Sequence, residues 1–449
     1  MHRERVAVAR LCILGVTLLL GACAAGPGPA PDGDYPNIVL ILADDQGYGD
    51  VGVYGGDIPT PHIDAIARAG VRFTDGYVTG ASCVTSRCGL MTGRYQARFG
   101  CRTPRTVRIP PAERTFAEHL RARGYRTGLV GKWHLGSDDG ERPLDRGFEE
   151  FYGFLGGIHP YFPAGQATDV AYYDLTMRNS GPLYRGDREV EEESYLTDAL
   201  AREAADFIDR HSNETFFLFL SFNAVHVPLQ VSDDYLDRVP ERDHPRRRAL
   251  EAMTIAMDDA VGRVMDRLRH HALEESTLVI YISDNGGDPP GNFSINGPLR
   301  GKKGQLYEGG IRVPWVMQWK GRIPPGTVYT EPVISLDIAS TALAASGGTT
   351  YLKPRLDGIN LMPLLEGRET EPPARALYWQ YRKQSALRDG DWKIVRPARG
   401  SPVELYHLGD DIGETRDQAA NHPEVSRELQ EELDKLDTRF RGYRRVLSP

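Results

Sequence analysis

Acidic and amide side chains follow two apolar runs of the sequence. Asp44 and Asp45 come just after "NIVLIL", and Asp284 and Asn285 come directly after "TLVIYIS". In open parallel sheets ligands bind at the carboxyl ends of strands, and oxygen ligands of this kind suit Ca²⁺ or Mg²⁺ better than zinc. The pattern predicts a divalent-cation site. A helix cap at Asp44-Asp45 and a tight turn at "DNGG" are the structural alternatives.

Basic side chains follow two further apolar runs. Lys132 and His134 come after "TGLVG", His226 comes after "FFLFLSFNAV", and Lys303 lies in the glycine-rich segment "GPLRGKKGQ". Ammonium and imidazole groups beside a divalent cation can stabilise charge on a tetrahedral sulfuryl or phosphoryl centre. These residues are therefore predicted to handle an anion. Structural histidines and a solvated basic loop are the alternatives.

The N-terminus indicates the compartment. A basic start precedes an apolar run at 11–20, which is too short to span a bilayer but is typical of a signal peptide. "LGAC" resembles the bacterial lipobox, so residues 1–22 are predicted to be a lipoprotein-type signal peptide and Cys23 a lipidated N-terminus. Residues 23–35 then form a flexible tether. An ordinary signal peptide cut near Ala25 is the alternative.

Charge narrows the possible partners. The 449-residue chain carries −8 and residues 1–22 carry +2, which leaves −10 for the mature chain. An acidic body argues against nucleic acid as a partner, and contact with a membrane would come through the lipid anchor. The expected location is the bacterial cell envelope, lipid-anchored, either periplasmic or associated with the outer membrane.

Three cysteines remain in the body of the mature chain: Cys83, Cys88 and Cys101. An odd number in an oxidising compartment suggests one pair and one special thiol. We predict a disulfide between Cys88 and Cys101, which leaves Cys83 unpaired. Two buried free thiols are the alternative.

The order of the apolar runs predicts the fold class. Strand-like runs alternate with helical patterns from residue 36 to residue 346, which indicates an α/β domain with a mostly parallel sheet covered by helices on both faces. Residues 347–449 differ, because short strand-like pieces are followed by a polar amphipathic helix near 423–441. We expect a smaller C-terminal α+β subdomain with a short antiparallel sheet and one helix.

Several ordered motifs resemble one family. "DDQGYGD", "CVTSRCGLMTGR", "GYRTGLVGKWHLG", "AVHVPLQ", "SDNGG" and "LRGKKGQLYEGGIRVP" are similar to motifs of the type I sulfatases, members of the alkaline-phosphatase-like superfamily. The resemblance runs from about Pro36 to the C-terminus. It implies an alkaline-phosphatase-like fold, a catalytic domain over 36–346 and the activity of a sulfuric ester hydrolase.

The resemblance also implies an unusual nucleophile. In the family, the cysteine at the position of Cys83 is oxidised to formylglycine by a formylglycine-generating enzyme during maturation. The aldehyde is hydrated; one hydroxyl attacks sulfur, and the second then expels sulfate. The metal ligands implied for Ca²⁺, with Mg²⁺ as the other possible ion, are Asp44, Asp45, Cys83, Asp284 and Asn285.

The remaining catalytic roles follow from the same resemblance. Arg87 would hold a hydroxyl of the diol, and Lys132 and Lys303 would bind the sulfate oxygens. His134 would take the proton of the second hydroxyl, and His226 would help protonate the leaving oxygen. Lys132, His226 and Lys303 would thus also bind substrate.

The loop at 156–166, with His159 and Tyr161, is predicted to face the substrate, a sulfated small molecule or saccharide.

Position 85 departs from the family pattern, since Thr85 stands where the family has Pro or Ala and the modifying enzyme reads that residue. Two other functions therefore stay open. One is a phosphate mono- or diester hydrolase of the same superfamily; the other is a non-catalytic, glycan-binding pseudo-sulfatase with an unmodified Cys83.

Overall fold

The structure is a computed structural model. It describes residues 35–104, 108–163, 181–348 and 355–442, with side chains described up to residue 440. The predicted signal peptide, the lipidation site Cys23 and most of the predicted tether lie outside the described residues.

A ten-stranded sheet forms the centre of the fold, in the order β11-β2-β10-β9-β1-β8-β4-β5-β6-β7. Two short strands, β3 and β12, pair separately, and β13–β16 form a second, four-stranded sheet. The strands are β1 Asn37–Ala43, β2 Val71–Phe73, β3 Gly76–Tyr77, β4 Arg126–Lys132, β5 Glu150–Phe154, β6 Leu183–Arg185, β7 Arg188–Val190, β8 Phe216–Ser221, β9 Thr277–Ser283, β10 Trp315–Gln318, β11 Thr327–Tyr329, β12 Val333–Ile334, β13 Leu377–Tyr381, β14 Gln384–Asp389, β15 Trp392–Arg396 and β16 Glu404–His407.

Eleven α-helices lie in the described residues. They are α1 Pro61–Ala69, α2 Cys83–Thr92, α3 Phe116–Arg121, α4 Leu196–Arg210, α5 Asp233–Leu236, α6 Pro245–His270, α7 Pro289–Asn292, α8 Glu308–Ile311, α9 Leu336–Ala345, α10 Met362–Leu365 and α11 Pro423–Gly442.

The centre of the large sheet is parallel, as the apolar runs predict. The four runs form β1, β4, β8 and β9, and β1 lies between β8 and β9 with parallel pairing on both sides. The register sets Ala43 of β1 beside Ser283 of β9 and Leu42 beside Ser221 of β8. The carboxyl ends of these strands therefore lie level at one edge of the sheet.

Both faces of the sheet are covered, because alternate residues of a strand point to opposite faces. Residues 38, 40 and 42 of β1 pack into the core that contains α2, α3 and α9. Residues 39, 41 and 43 pack into a second core that contains α1, α4 and α6. A continuous apolar run such as "NIVLILA" is what a strand buried on both faces requires.

The C-terminal sheet is antiparallel and packs with α11 around its own small core. The segment "SALRDGDWKIVR" is a hairpin, with Gly390 in the turn at a positive φ of 56°. Trp379 of β13 donates a 2.7 Å hydrogen bond to the carbonyl of Val78, just after β3, and so ties this sheet to the main domain. The predicted α/β fold with a smaller α+β subdomain is confirmed.

Within the described part of the chain, none of the helices combines the length and apolarity needed to cross a bilayer.

Candidate active site

The acidic residues predicted to bind a cation meet at the carboxyl edge of the sheet. Asp44 and Asp45 follow β1, and Asp284 and Asn285 follow β9. The backbone N–H of Asp45 donates to Asp284 Oδ1 at 3.3 Å, and Asn285 Nδ2 donates to Asp45 Oδ1 at 2.7 Å. Asp45 has a positive φ of 60°, a costly conformation for a residue with a side chain and one that clusters at functional sites.

Cys83 reaches the same place from a helix. It is the first residue of α2, where the unpaired N–H groups of the first turn favour negative charge. One ligand atom from each of Asp44, Asp45, Cys83 and His226 lies within 4.8 Å of the others. The structure thus brings the predicted nucleophile and two of the predicted metal ligands into one buried cluster.

Three cations surround this cluster. Arg87, one turn after Cys83, donates from Nε to Asp284 Oδ2 at 2.8 Å. Lys303 Nζ lies 2.7 Å from Asp45 Oδ2, and Lys132, at the end of β4, forms an ion pair with Asp44 Oδ2. The side chain of Lys132 is completely buried, whereas 20% of that of Lys303 is exposed.

Ser221, at the end of β8, was missed by the sequence analysis. Its hydroxyl donates to the carbonyl of Lys132 at 2.7 Å and accepts from Arg87 Nη1 at 2.6 Å. It therefore holds the guanidinium of Arg87 against the sheet edge. The signal was present, because Ser221 ends an apolar run in the same way as the acids do.

His134 lies beyond β4 with a positive φ of 59°. Its ring lies against Gly157, where an added Cβ would stand 2.6 Å from ring atoms, so only glycine leaves room for the imidazole. Burial, together with the charges of Lys132 and Arg87, holds the pKa of His134 well below its usual range. The ring is therefore neutral and can accept a proton.

His226 is oriented by its own backbone segment. Its Nδ1 lies 2.7 Å from the carbonyl of Val227, so Nδ1 carries the proton. The other ring nitrogen, Nε2, lies 3.5 Å from Asp45 Oδ2. Burial and the nearby Lys303 lower the pKa of His226 to about 3.

The pKa values of three further titratable groups differ because their surroundings differ. Burial raises the pKa of Asp45, but Lys303 and His226 outweigh this and lower it to about 2. Burial and the adjacent Asp44 raise the pKa of Asp284 to about 6. Burial raises the pKa of the Cys83 thiol to about 12, and a thiol that stays protonated is a poor nucleophile.

Four buried polar atoms of the site have no hydrogen-bond partner among the described residues: Asp44 Oδ1, Asn285 Oδ1, Arg87 Nη2 and His134 Nδ1. Buried polar atoms are normally paired. The two oxygens come from residues predicted to bind a cation, and carboxylate and amide oxygens are the ligands that Ca²⁺ and Mg²⁺ prefer. The residues at this edge of the sheet therefore fit a hard divalent cation.

A cavity of about 450 Å³ opens above Cys83. Its lining includes Cys83, His134, His226 and Lys303, as predicted. It also includes Pro104 and two residues of the C-terminal sheet, Tyr381 and Arg382. The last three were missed, because nothing in their local sequence indicates that they face residues about 20 to 300 positions away.

The loop at 156–166 meets the prediction at its start, because Gly156, Gly157 and Ile158 line the cavity above Cys83; residues 164–166 lie outside the described residues. His159 does not line the cavity above Cys83; it lines a neighbouring cavity of about 460 Å³, and its ring lies against Phe154. Tyr161 is buried and donates to the carbonyls of Asn223 (2.6 Å) and His226 (2.9 Å). Tyr161 thus supports the His226 segment, and the described residues do not bring His159 to the nucleophile.

The predicted Cys88–Cys101 disulfide is not formed in the structure, where Cys83, Cys88 and Cys101 are buried thiols. Cys88 and Cys101 are hydrogen-bonded neighbours, which together with burial raises the pKa of Cys88 well above its usual value. The two thiols are neighbours, but the predicted bond between them is absent from the structure.

Asn292 of α7 is a further residue that the sequence did not indicate. Its Nδ2 donates to the carbonyls of Asp45 at 3.0 Å and Val225 at 3.1 Å. It joins the loops that follow β1 and β8 and so fixes Asp45 relative to His226.

Comparison with known proteins identifies the family of the chain. Residues 36–348 match the family described as Sulfatase, and residues 302–439 match the family described as N-sulphoglucosamine sulphohydrolase, C-terminal. The chain is 35% identical to N-acetylgalactosamine-6-sulfatase of Sus scrofa over 79% of its own length and 71% of that protein. It is 33% identical to an arylsulfatase of Hemicentrotus pulcherrimus over 83% of its length and 70% of that protein.

Solved structures of similar proteins share the fold of this chain. The chain matches the crystal structure of Ps i-CgsB in complex with k-i-k-neocarrahexaose with a TM-score of 0.83 and 34% identity, over 90% of this chain and 92% of that one. It matches PsFucS1 sulfatase from Pseudoalteromonas sp. with a TM-score of 0.76 and 26% identity, over 91% of each chain. Together with the family match over most of the chain, these relatives place the protein in the sulfatase family, whose members are sulfuric ester hydrolases.

Proposed function

We propose that this sulfatase hydrolyses a sulfate monoester on a saccharide, with a formylglycine made from Cys83 and a bound Ca²⁺. The observation that carries the proposal is the position of Cys83. It begins a buried helix, and its sulfur lies in one 4.8 Å cluster with Asp44, Asp45 and His226.

The relatives support a saccharide as substrate. Among them are proteins named N-acetylgalactosamine-6-sulfatase, and Ps i-CgsB was crystallised with a neocarrahexaose. A phosphonate monoester hydrolase of Agrobacterium radiobacter shares the fold, but at 21% identity. That likeness gives no support to a phosphate ester as substrate.

The charge of the site favours an anionic substrate once a cation is bound. Three carboxylates are formally balanced by three permanent cations, Arg87, Lys132 and Lys303. A divalent ion would leave the site with a formal charge of +2. That excess matches a sulfate monoester together with an ionised hydroxyl on residue 83.

Bound Ca²⁺ would supply Lewis-acid polarisation of oxygen, and the hydrated aldehyde would supply two hydroxyls on one carbon, one to attack sulfur and one to expel sulfate. Arg87 stabilises negative charge at the start of α2, and Lys132 and Lys303 bind sulfate oxygens. His134, held neutral by its surroundings, accepts the proton of the second hydroxyl. The negative charge of a bound sulfate would raise the low pKa of His226, and His226 protonated at Nε2 would then donate to the leaving oxygen.

Mass spectrometry of the peptide that contains residue 83 tests the nucleophile. We expect loss of the thiol mass and gain of the aldehyde mass in active protein. A panel of sulfated mono- and oligosaccharides, assayed with Ca²⁺ and after chelation, tests the rest. Full activity with residue 83 wholly unconverted, or a fully converted protein inert on every sulfate ester, would overturn the proposal.

We also propose that the mature protein is held at the bacterial cell envelope through lipidation at Cys23. β1 begins at Asn37, and the site lies after its far end, about 20 Å away at about 3.3 Å per residue. An anchor at Cys23 would thus be separated from the catalytic edge of the sheet by the length of β1 as well as by the predicted flexible tether. Labelling with radioactive palmitate, lost in Cys23→Ser, would test the anchor.

A further inference from the structure

The turn between β13 and β14 reaches the active-site cavity from the C-terminal sheet. The two strands are joined by a two-residue turn, Arg382-Lys383. Arg382 lines the cavity above Cys83, and its neighbour Lys383 does not. The C-terminal sheet therefore contributes a cation to a site whose nucleophile lies in the main domain.

The conformation of Arg382 is unfavourable for arginine. Its φ is 53°, in the left-handed region that favours glycine or asparagine. Two-residue hairpin turns commonly carry those residues for this reason. A strained conformation that is retained at the mouth of an active site points to a function of the side chain rather than of the turn.

The turn is firmly held beside the catalytic loop. Gln384 Nε2 donates to the carbonyl of Gly304 at 2.8 Å, and Gln384 Oε1 accepts from the N–H of Leu306 at 3.2 Å. The N–H of Arg382 donates to the carbonyl of Arg102 at 2.9 Å. Since Gly304 directly follows Lys303, the separation of the Arg382 and Lys303 backbones is fixed by these contacts.

The lining of the cavity is cationic. It contains Lys303 and Arg382 and no carboxylate side chain among the described residues. Lys303 is paired with Asp45, whereas the guanidinium of Arg382 lies 5.4 Å from the centre of the Tyr381 ring. Within the described part of the chain, no carboxylate lies within ion-pair distance of Arg382, so its charge is available to a ligand.

We propose that Arg382 determines substrate specificity by binding a second anionic group of the saccharide, a sulfate or a carboxylate, next to the ester that is cleaved. This inference rests on the proposed function and narrows it to saccharides that carry at least two negative charges. Arginine suits this role because its planar donors match the oxygens of a sulfate or carboxylate in pairs.

The test compares two saccharides with the same scissile sulfate, one with and one without a second anionic group. Arg382→Gln should lower kcat/KM about tenfold for the doubly charged saccharide, mainly through KM, since a charge-assisted hydrogen bond is lost. The singly sulfated saccharide should lose much less, because only the general attraction of the cavity for an anion is weakened. Lys383→Gln, on the same turn but outside the cavity, should leave both substrates unaffected.

Arg382→Gly distinguishes the effect of the side chain on substrate binding from the effect of the backbone conformation on stability. It should keep or raise the Tm, because glycine adopts a positive φ without strain, and it should show the same loss on the doubly charged saccharide. An equal loss on both saccharides, or no loss on either, would overturn the assignment of Arg382.

Calorimetric binding of the doubly charged saccharide gives the same test without turnover. A wild-type protein that binds this saccharide through Arg382 but cleaves no sulfate ester would contradict the proposed function and leave the role of Arg382 intact. A wild-type protein that cleaves sulfate esters but binds both saccharides equally well would contradict the role of Arg382 alone.

Discussion

The protein contains two clusters of buried charged side chains. They differ in whether all of their polar atoms find partners within the chain. The catalytic cluster contains Asp44, Asp45, Asp284, Arg87, Lys132 and Lys303. The junction cluster, where the C-terminal sheet meets the main domain, contains Asp75, Glu308, Glu414, Arg312, Arg388 and Lys393. Each has three acids and three cations, so formal charge does not distinguish them.

The junction cluster is complete when the chain folds. Lys393 lies 2.7 Å from Glu308 and 2.9 Å from Glu414, and both of its carboxylate partners are buried with it. Asp75 forms ion pairs with Arg388 at 2.6 Å and with Arg312 at 2.9 Å. Every carboxylate oxygen in this cluster lies within ion-pair or hydrogen-bond distance of a partner in the chain, with Glu414 Oε1 held by the Lys393 ion pair alone and not by a hydrogen bond. The cluster therefore joins two parts of the fold.

The catalytic cluster stays incomplete after folding. Asp44 Oδ1 and Arg87 Nη2 are buried without a partner among the described residues, and each such atom costs about 1–3 kcal/mol. The unpaired carboxylate oxygen is positioned to bind a cation, and the unpaired guanidinium nitrogen is positioned to bind an anion. The comparison thus predicts that changes in one cluster affect stability and changes in the other affect activity.

The largest effect should come from the catalytic cluster. Asp44→Ala should lower kcat/KM by about 10³-fold, because a metal ion contributes several kcal/mol to transition-state stabilisation. The protein should remain folded at a lower Tm, since Lys132 is left buried without its partner. Ca²⁺ should raise the Tm of the wild type and not of the variant, since a ligand that binds the native state stabilises it. Full activity in the variant or in strong chelator would show that the catalytic cluster does not bind a cation needed for turnover.

The junction cluster should respond in the opposite way. Glu308→Gln leaves Lys393 and Arg312 buried without full compensation and should cost about 3–5 kcal/mol of unfolding free energy, measured with urea. Activity per folded molecule should change little. Glu369→Gln, at an exposed position, is the matched control and should stay within about 0.5 kcal/mol of the wild type. A loss of turnover without a loss of stability would show that Glu308 belongs to the active site.

The catalytic cluster could be predicted from the sequence because its members follow strands. Apolar runs identify β1, β4, β8 and β9, and parallel pairing brings their carboxyl ends to one edge. The nucleophile needed more, since Cys83 starts a helix whose ten residues are all buried and whose sequence shows no amphipathic period. Its assignment came from the resemblance to a family.

The junction cluster could not be predicted in the same way. Asp75 and Arg388 lie 313 positions apart, and neither follows a buried run or forms a motif. Ion pairs carry no period or spacing in the sequence, so the contact appears only when the C-terminal sheet is docked. The same reason explains why Arg382 was missed at the active-site cavity.

A smaller effect should appear in the pH dependence of stability. Burial raises the pKa of Glu414 to about 7, with Glu308 adding to the shift and Lys393 opposing it. Because the folded-state pKa lies above the ordinary value of 4.5, the contribution of Glu414 to stability is present below pH 4.5 and is lost as the pH rises through 7. Glu414→Gln should therefore flatten the Tm profile between pH 4.5 and 7. An unchanged slope would show that Glu414 is already ionised throughout this range.

The smallest effect concerns the completion of the catalytic cluster after synthesis. Thr85 is the third residue of α2, and its hydroxyl donates to the carbonyl of Ser82 at 2.9 Å. The N–H of a third helical residue has no partner within the helix, so Thr85→Pro removes no helical hydrogen bond. The cost is about 1 kcal/mol for the lost side-chain contact.

In the unfolded segment presented to the modifying enzyme, proline would fix φ and remove an N–H. Thr85→Pro should therefore raise the formylglycine fraction of Cys83 and the specific activity in equal proportion, at unchanged KM, because the number of nucleophiles changes and the cavity does not. Mass spectrometry of the peptide spanning residue 83 gives the fraction, and titration of active sites gives the activity per molecule. Thr85→Val removes the hydroxyl and keeps the side-chain size without introducing either residue of the family pattern, so it isolates the effect of the proline. A higher converted fraction without a matching rise in activity would mean that Thr85 also acts within the folded site.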